Sequence, residues 1–144
     1  MKISTRGRYG IRLLIDLAGH AGEDHVPLAS VARRQGISIR YLEQVAVILR
    51  RAGFIRSVKG ASGGYSLAWK PEEIIVGEAL RELEGDMLVV DPPRAGVKES
   101  KLQRCIRITV FDRINARIAS VIDNKTLASI AGTTDPDESY MYFI

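Results

Sequence analysis

The residues best suited to recognition chemistry in this 144-residue chain are polar and basic side chains at the start of one predicted helix. Arg40, Tyr41 and Gln44 follow Ser38, a residue type that commonly caps helices. Glutamine can pair bidentately with adenine, and arginine with guanine or a phosphate. Ser38 can offer its backbone N–H or hydroxyl to a phosphate. The pattern predicts a DNA-reading helix; the alternative is that Ser38 only caps the helix and that Arg40 and Tyr41 only face solvent.

A second candidate contact is the basic, glycine-rich loop between two short apolar runs. Lys59, Gly60, Ala61 and Ser62 carry little side-chain bulk apart from the lysine itself. Such a loop can enter a narrow minor groove, where the negative potential attracts its cation. We therefore expect these four residues to contact DNA.

The start of the first predicted helix offers a third set of contacts. Thr5, Arg6 and Arg8 lie there, and a helix N-terminus favours anions because its backbone N–H groups point outward. These residues are expected to bind phosphates rather than to read bases.

Other chemistries find little support in the residue pattern. The glycine-rich segment 60–64 lacks the Gly-Lys-Ser/Thr ending of a phosphate-binding loop and opens no helix. Cys105 is the only cysteine of the chain, which excludes an intrachain disulfide and a cysteine-rich zinc or iron–sulfur site built by one chain. No nucleophile and base stand at motif spacing. We expect no enzyme, no catalytic residue, no metal and no cofactor.

Charge is divided unequally between the two halves of the chain. Residues 1–70 hold twelve Lys and Arg against four Asp and Glu, a net charge of +8. Residues 71–144 hold nine against thirteen, a net charge of −4. A basic first half is typical of a protein with a polyanionic partner. The chain shows no apolar run near the roughly 18–20 residues of a spanning helix and no signal peptide, so we expect a cytoplasmic protein without membrane contact.

The order of predicted elements places these candidates on a mainly α fold with a small β-hairpin. Apolar spacing, capping residues and glycine stops predict helices over 6–21, 28–35 and 39–52. A hairpin is expected from 54–58 and 64–68. Helix, short helix, glycine turn, helix and basic hairpin is the winged helix-turn-helix order, in which the third helix enters the major groove.

The second half is expected to form the dimer contact. Further helices are predicted over 77–84, 100–123 and 126–131. The expected division is a winged helix-turn-helix domain at 1–70, a dimerisation region at 71–132 with a linker at 86–99, and a mobile acidic and aromatic tail at 133–144. Apolar side chains cover more of the 100–123 helix than one stripe, so one flank should pack on a second subunit. The alternative is a helix buried within one monomer.

Three motifs together resemble the IscR/CymR family, the Rrf-two family of bacterial transcription regulators. They are the segments MKISTRGRY at 1–9, GIS at 36–38 with YLEQ at 41–44, and SVKGASGGY at 57–65. The resemblance implies a homodimeric winged-helix protein that reads a palindromic operator. It also implies that Ser38, Arg40, Tyr41, Gln44, Lys59 and Gly60 lie at the DNA.

The family has an iron–sulfur branch and a branch of cysteine-metabolism repressors. In the first, three cysteines and a histidine hold the cluster; here only Cys105 matches, the other cysteine positions fall within 90–104, and Ile108 replaces the histidine. The chain is more similar to the second branch, which implies a repressor that works with cysteine synthase. The alternative is an iron–sulfur or thiol regulator using Cys105. Arg104 and Arg107 would favour a reactive thiolate, but core spacing predicts that Cys105 is buried.

The aromatic tail carries the predicted partner contact. Tyr142, Phe143 and Ile144 follow an acidic stretch, and the resemblance implies cysteine synthase as a partner, because its known protein ligands also end in isoleucine. An isoleucine with a free α-carboxylate suits an enzyme pocket that offers backbone N–H groups. The alternative is that the tail folds back on the dimer core.

Overall fold

The computed structural model describes residues 1–132 and confirms a mainly helical chain with one β-hairpin. The elements are α1 Thr5–Gly19, α2 Leu28–Gln35, α3 Ile39–Arg51, β1 Ile55–Val58, β2 Gly64–Leu67, α4 Val76–Glu84, α5 Lys101–Ile106, α6 Asp112–Asp123 and α7 Leu127–Ala131. The predicted partner-binding residues Tyr142, Phe143 and Ile144 lie outside the described residues, as does all of 133–144.

The first three helices follow the predicted caps and stops closely. Ser4 caps α1, and its hydroxyl oxygen accepts from the Gly7 N–H at 3.3 Å. Helix α1 ends at Gly19 rather than at residue 21, because His20 leaves helical geometry with φ −118° and ψ 24°. Gly36 adopts φ +63° after α2, a left-handed conformation that glycine adopts without steric cost. The turn between α2 and α3 is therefore the tight turn that the sequence predicted.

The core joins residues from both halves of the chain. Helix α4 packs against α1 and α3, and α7 packs against α1. The fully buried side chains are large and aliphatic: Leu13, Leu14, Leu17, Val31, Leu42, Val45, Leu49, Ile74, Leu83 and Leu127. In α3 the buried residues are Leu42, Val45, Ala46 and Leu49. Within residues 1–132, no helix is both long and apolar enough to cross a membrane.

The hairpin is a two-stranded antiparallel sheet that a single residue of an earlier loop extends. Ile55 pairs with Leu67, and Val58 pairs with Gly64 at the open end of the ladder. Val26, just before α2, forms an isolated antiparallel bridge with Tyr65. The hairpin is thus attached to the loop between α1 and α2 as well as to α3.

The predicted 100–123 helix contains a wider turn. A π-helical segment, Arg107–Phe111, separates α5 from α6. Arg107 lies in this segment and binds two carboxylates: its Nε is 2.6 Å from Glu99 and its Nη1 is 2.8 Å from Asp112. The chain is continuously helical over 101–123, close to the predicted bounds, but the π turn was not predicted, because residue spacing does not distinguish an α turn from a π turn within a continuous apolar pattern.

Helices α5 and α6 expose much of their apolar surface in the single chain. Leu102 is 69% exposed and Ile114 is 40% exposed. Ile118 and Ile122 pack against the core at its edge. The other large exposed apolar residues on these two helices and the π segment are Ile106, Ile108, Val110 and Val121. One side of the long helical segment therefore contacts the core, and another side is left uncovered.

Candidate nucleic-acid interface

Helix α3 presents the predicted base-reading residues on its outward face. The Ser38 hydroxyl oxygen accepts from the Tyr41 backbone N–H at 3.1 Å, so Ser38 caps the helix. That bond uses the oxygen as an acceptor and leaves the hydroxyl proton available to a phosphate. Arg40 and Gln44 are exposed, on the opposite side of the helix from buried Leu42. The helix can therefore pack and present polar groups at the same time.

Tyr41, predicted to be exposed at the start of the DNA-reading helix, is less exposed than that prediction requires. It is half-buried, and its ring meets that of Tyr9 edge to face with centroids 5.3 Å apart. The Arg12 guanidinium lies 5.4 Å from the centre of the Tyr9 ring. Such ring contacts favour one orientation of the two side chains. Tyr41 thus anchors the start of α3 to α1.

A buried carboxylate ties α2 to α1. The Asp16 side chain is 3% exposed. It accepts from Arg34 Nη2 at 2.6 Å, Arg34 Nε at 3.0 Å and Gln35 Nε2 at 2.9 Å. Burial alone would raise the pKa of Asp16, but the hydrogen bonds from Arg34 and Gln35 outweigh it and hold the pKa below its ordinary value of 3.8. Arg12 also donates to the Gln35 carbonyl oxygen.

Sequence reasoning missed this network, although one signal pointed to it. Asp16 stands between Leu13 and Leu17 on the apolar face of α1, and an acidic residue at such a position needs partners. The network fixes the last turn of α2, which leads directly through Gly36 into α3.

The wing loop, residues 59–62, is exposed, as a contact with DNA requires. Lys59, Gly60, Ala61 and Ser62 are all exposed. Gly60 has φ +117°, and its carbonyl oxygen accepts from the Gly63 N–H at 3.0 Å. The loop therefore closes on itself and leaves the lysine as its one long side chain.

The start of α1 is more engaged than predicted. Glu84 Oε1 accepts from the Ser4 backbone N–H at 3.0 Å and from the Ser4 hydroxyl at 2.6 Å. Arg6 Nε donates to the Leu83 carbonyl at 2.7 Å. A carboxylate of α4 thus already lies at this helix N-terminus, which sequence spacing could not reveal. Thr5 is half-buried, and its hydroxyl accepts from Arg8 Nη2 at 3.1 Å.

Cys105 lies apart from this surface and is exposed in the single chain. The prediction of a buried thiol was therefore wrong for the monomer, because the apolar spacing that it shares with Leu102 and Ile106 belongs to an uncovered face. Arg107 is engaged by Glu99 and Asp112. In residues 1–132, no group of three or more His, Cys, Asp or Glu could hold a metal ion.

Comparison with known proteins identifies close relatives over the whole chain. The transcriptional regulator CymR of Bacillus subtilis (strain 168) is 39% identical over 145 residues, covering all of both chains. The regulator IscR of Aliivibrio salmonicida is 39% identical over 132 residues, 90% of this chain and 77% of that protein. A solved structure of CymR, the global cysteine regulator of B. subtilis, superposes with a TM-score of 0.79 at 38% identity, covering 94% of this chain and 99% of that one. These likenesses confirm the winged-helix fold and show a regulator rather than an enzyme.

The sequence model of the Rrf2 family, described as an iron-dependent transcriptional regulator, matches residues 3–133. The donors of this chain do not fit an iron centre: Cys105 supplies one thiolate, residues 90–104 contain no cysteine, and Ile108 is no ligand. The match nevertheless spans nearly the entire sequence, and the relatives agree with it. The chain belongs to the Rrf2 family of transcriptional regulators.

Proposed function

We propose that this chain is a homodimeric, sequence-specific DNA-binding repressor that reads a palindromic operator. The observation that carries the proposal is the exposed face of α3, with Arg40 and Gln44, on the same basic half of the chain as the wing loop. Members of the family are DNA-binding regulators and are typically dimeric. In this proposal residues 1–70 supply the DNA contacts, and residues 71–132, including the 86–99 linker, supply the dimer contact.

Each predicted site residue has a distinct role in this proposal. Gln44 reads adenine, and Arg40 reads guanine or holds a phosphate. The Ser38 hydroxyl binds a phosphate, and Tyr41 sets the angle of α3 through its contact with Tyr9. Lys59 enters the minor groove from a loop whose other residues, Gly60, Ala61 and Ser62, let the backbone approach. Arg6 and Thr5 face the phosphates beside them.

The uncovered side of α5 and α6 supports the dimer. Leu102, Ile106, Val110 and Ile114 recur at intervals of four residues and are all exposed. A continuous apolar face of this kind marks an interaction surface. In a two-fold dimer the same face of a second copy would cover it. Two α3 helices would then stand one helical turn of DNA apart, or a small multiple of it.

Selection of binding sites from random duplex DNA is expected to return a symmetric sequence with two half-sites. Gln44→Ala should relax the preference at one base position in each half-site, by about 1–3 kcal/mol of discrimination. Arg6→Ala should instead weaken binding to all sequences alike, because a phosphate contact carries no sequence information. Fluorescence anisotropy titrations against the selected site and a scrambled site measure both effects.

Two controls accompany these titrations. Thermal unfolding of Arg6→Ala shows whether losing the bond to Leu83 has loosened the contact between α1 and α4. Equal affinity of the unaltered protein for the selected and scrambled duplexes would refute sequence-specific recognition.

We further propose that the regulated genes serve cysteine and sulfur metabolism, and that cysteine synthase modulates the regulator by binding the tail. Support comes from the likeness to CymR, the global cysteine regulator of B. subtilis, and from the residues Tyr142, Phe143 and Ile144. The isoleucine side chain would enter an apolar pocket beside N–H groups that bind the carboxylate. Substrate in that enzyme's active site would displace the tail and change DNA binding.

A peptide of residues 135–144 with a free α-carboxylate is expected to bind cysteine synthase and to be displaced by its substrate. Loss of Ile144 from the peptide should abolish binding measurable by calorimetry, because the carboxylate would then lie one residue short of the pocket. An amidated peptide of full length is the matched control for the charge. Unchanged affinity without Ile144, or no competition by substrate, would contradict this mode of binding.

Cys105 is exposed in the single chain, which favours a second candidate, a thiol-based redox regulator whose dimer contact leaves this thiol uncovered. An exposed thiolate is the form that oxidants attack. Repeating the operator titration with Cys105→Ser, before and after treatment with hydrogen peroxide, separates the candidates: only a thiol regulator loses its oxidant response with the substitution. An iron–sulfur version of this candidate lacks sufficient donors among residues 1–132.

A further inference from the structure

The loop before α2 holds the hairpin at two successive residues, His25 and Val26. At Val26, the backbone N–H donates to the Tyr65 carbonyl at 2.8 Å, and the Tyr65 N–H donates back to the Val26 carbonyl at 2.8 Å. Gly64 makes this approach possible, because a Cβ atom there would overlap the Val26 carbonyl. The base of the wing is therefore fixed to the chain segment that enters α2.

The residue before this bridge reaches further along the wing. The His25 imidazole Nε2 is hydrogen-bonded to the backbone carbonyl oxygen of Ser62, which lies in the exposed wing loop. The carbonyl can only accept, so Nε2 must donate, as it does in the Nε2–H tautomer and in the imidazolium. Val26 and Pro27 follow at once, and the Pro27 carbonyl accepts from the Ser30 N–H at 3.0 Å at the start of α2.

These contacts connect the wing loop to the helix-turn-helix through a short path. One side chain joins Ser62 to His25. Three residues further along the chain, at Leu28, α2 begins, and it packs against α3. Lys59 lies three residues before Ser62 within the same closed loop. A shift of the Ser62 carbonyl would therefore move the lysine relative to the base-reading face of α3.

We propose that His25 is a positioning residue for the wing, which places Lys59 relative to α3 without contacting DNA itself. The inference rests on the proposed function, since it assigns a role within the same DNA-binding surface. It requires that the effect of His25 on DNA affinity passes through the wing lysine. The effect should also depend on a hydrogen-bond donor at position 25 rather than on the imidazole ring.

The test compares His25→Ala and His25→Gln in the full chain, alone and combined with Lys59→Ala, on the selected operator duplex. His25→Ala should weaken binding about 5-fold, the scale of one lost hydrogen bond. His25→Gln, which can donate from its amide nitrogen, should stay within about 2-fold of the unaltered protein. In the Lys59→Ala background, His25→Ala should change affinity by less than about 2-fold, since coupled residues are not additive.

Amide exchange in the DNA-free protein provides a second measurement. The Gly63 N–H donates to Gly60 within the wing loop, and its exchange should accelerate in His25→Ala but not in His25→Gln. Exchange at Val26 and Tyr65 should stay unchanged, which shows that the bridge and the fold remain intact.

Each other outcome has a definite meaning. An equal loss of affinity from His25→Ala with and without Lys59 would overturn the proposal, since His25 would then act on DNA independently. No effect on affinity or on Gly63 exchange would overturn it as well. If Lys59→Ala alone leaves affinity unchanged, the wing contact of the proposed function fails, whereas the Gly63 exchange still reports whether His25 braces the loop.

Discussion

Ile114→Lys is expected to convert the proposed dimer to a monomer, because the dimer would bury the lysine charge without a partner and an unpaired buried charge is costly. Operator binding should weaken by at least about 100-fold, because a monomer contacts only one half-site. Ile114 is 40% exposed in the single chain and lines a shallow apolar groove with Val110 and Ile118. Arg113 and Arg117 border the same groove. A carboxylate at position 114 could pair with these arginines, whereas a lysine would be repelled by them, so lysine disrupts the interface more strongly.

Sedimentation at micromolar concentration measures the first effect and anisotropy titration the second. Ser120→Lys is the matched control: it adds the same charge to α6 at an exposed polar position, away from the apolar face. It should remain dimeric and bind the operator as the unaltered protein does. A dimeric Ile114→Lys protein, or an unaltered protein that sediments as a monomer, would contradict the proposed interface.

Replacing Asp16 with alanine is expected to lower the free energy of unfolding by about 2–3 kcal/mol, because it removes the acceptor of one charged and one neutral partner. Arg34 is 35% exposed, so water can solvate part of its guanidinium and the loss stays below that of a fully buried pair. Gln35 would lose its side-chain acceptor as well. Urea unfolding at fixed protein concentration and neutral pH measures the difference.

The same carboxylate makes part of the stability dependent on pH. Its pKa is lowered in the folded protein, so its contribution is complete above the ordinary value of 3.8 and declines as pH falls through the lower folded-state pKa. The stability gap between the unaltered protein and Asp16→Ala should therefore narrow below pH 4. Asp24→Ala, which changes an exposed aspartate, is the control. A gap that widens with acid would show that Asp16 is not held as a carboxylate.

Local signals in the sequence were sufficient to predict the first three helices and the turns between them. Proline before α2, glycine after it and serine before α3 act within a few residues, so caps and turns could be predicted from neighbours along the chain. Helix α2, over Leu28–Gln35, has the boundaries that these signals predict. The exposure of Arg40 and Gln44 follows from the same periodicity, since buried positions of α3 leave these two outside.

Contacts between distant residues could not be predicted in this way. Glu84 reaches Ser4 across 80 positions, and His25 reaches Ser62 across 37. No spacing rule connects such pairs, because only the packing of α4 on α1 and of the hairpin on its neighbouring loop brings them together. Cys105 shows the opposite limitation: apolar spacing predicts a contacting face, but it does not distinguish a contact within the chain from one with another chain.

The π turn at Arg107–Phe111 links the length of this segment to the geometry of any two-fold assembly built on it. Each step of four residues advances around an α-helix by about 40°, so a regular helix would carry the stripe from Leu102 to Ile114 about 120° away from its starting direction. The π turn holds more residues than an α turn, which reduces that drift. Deletion of one residue from this segment would rotate one end of the stripe relative to the other. Small insertions and deletions in this segment are thus a route by which related regulators could acquire different operator spacings without altering a base-reading residue.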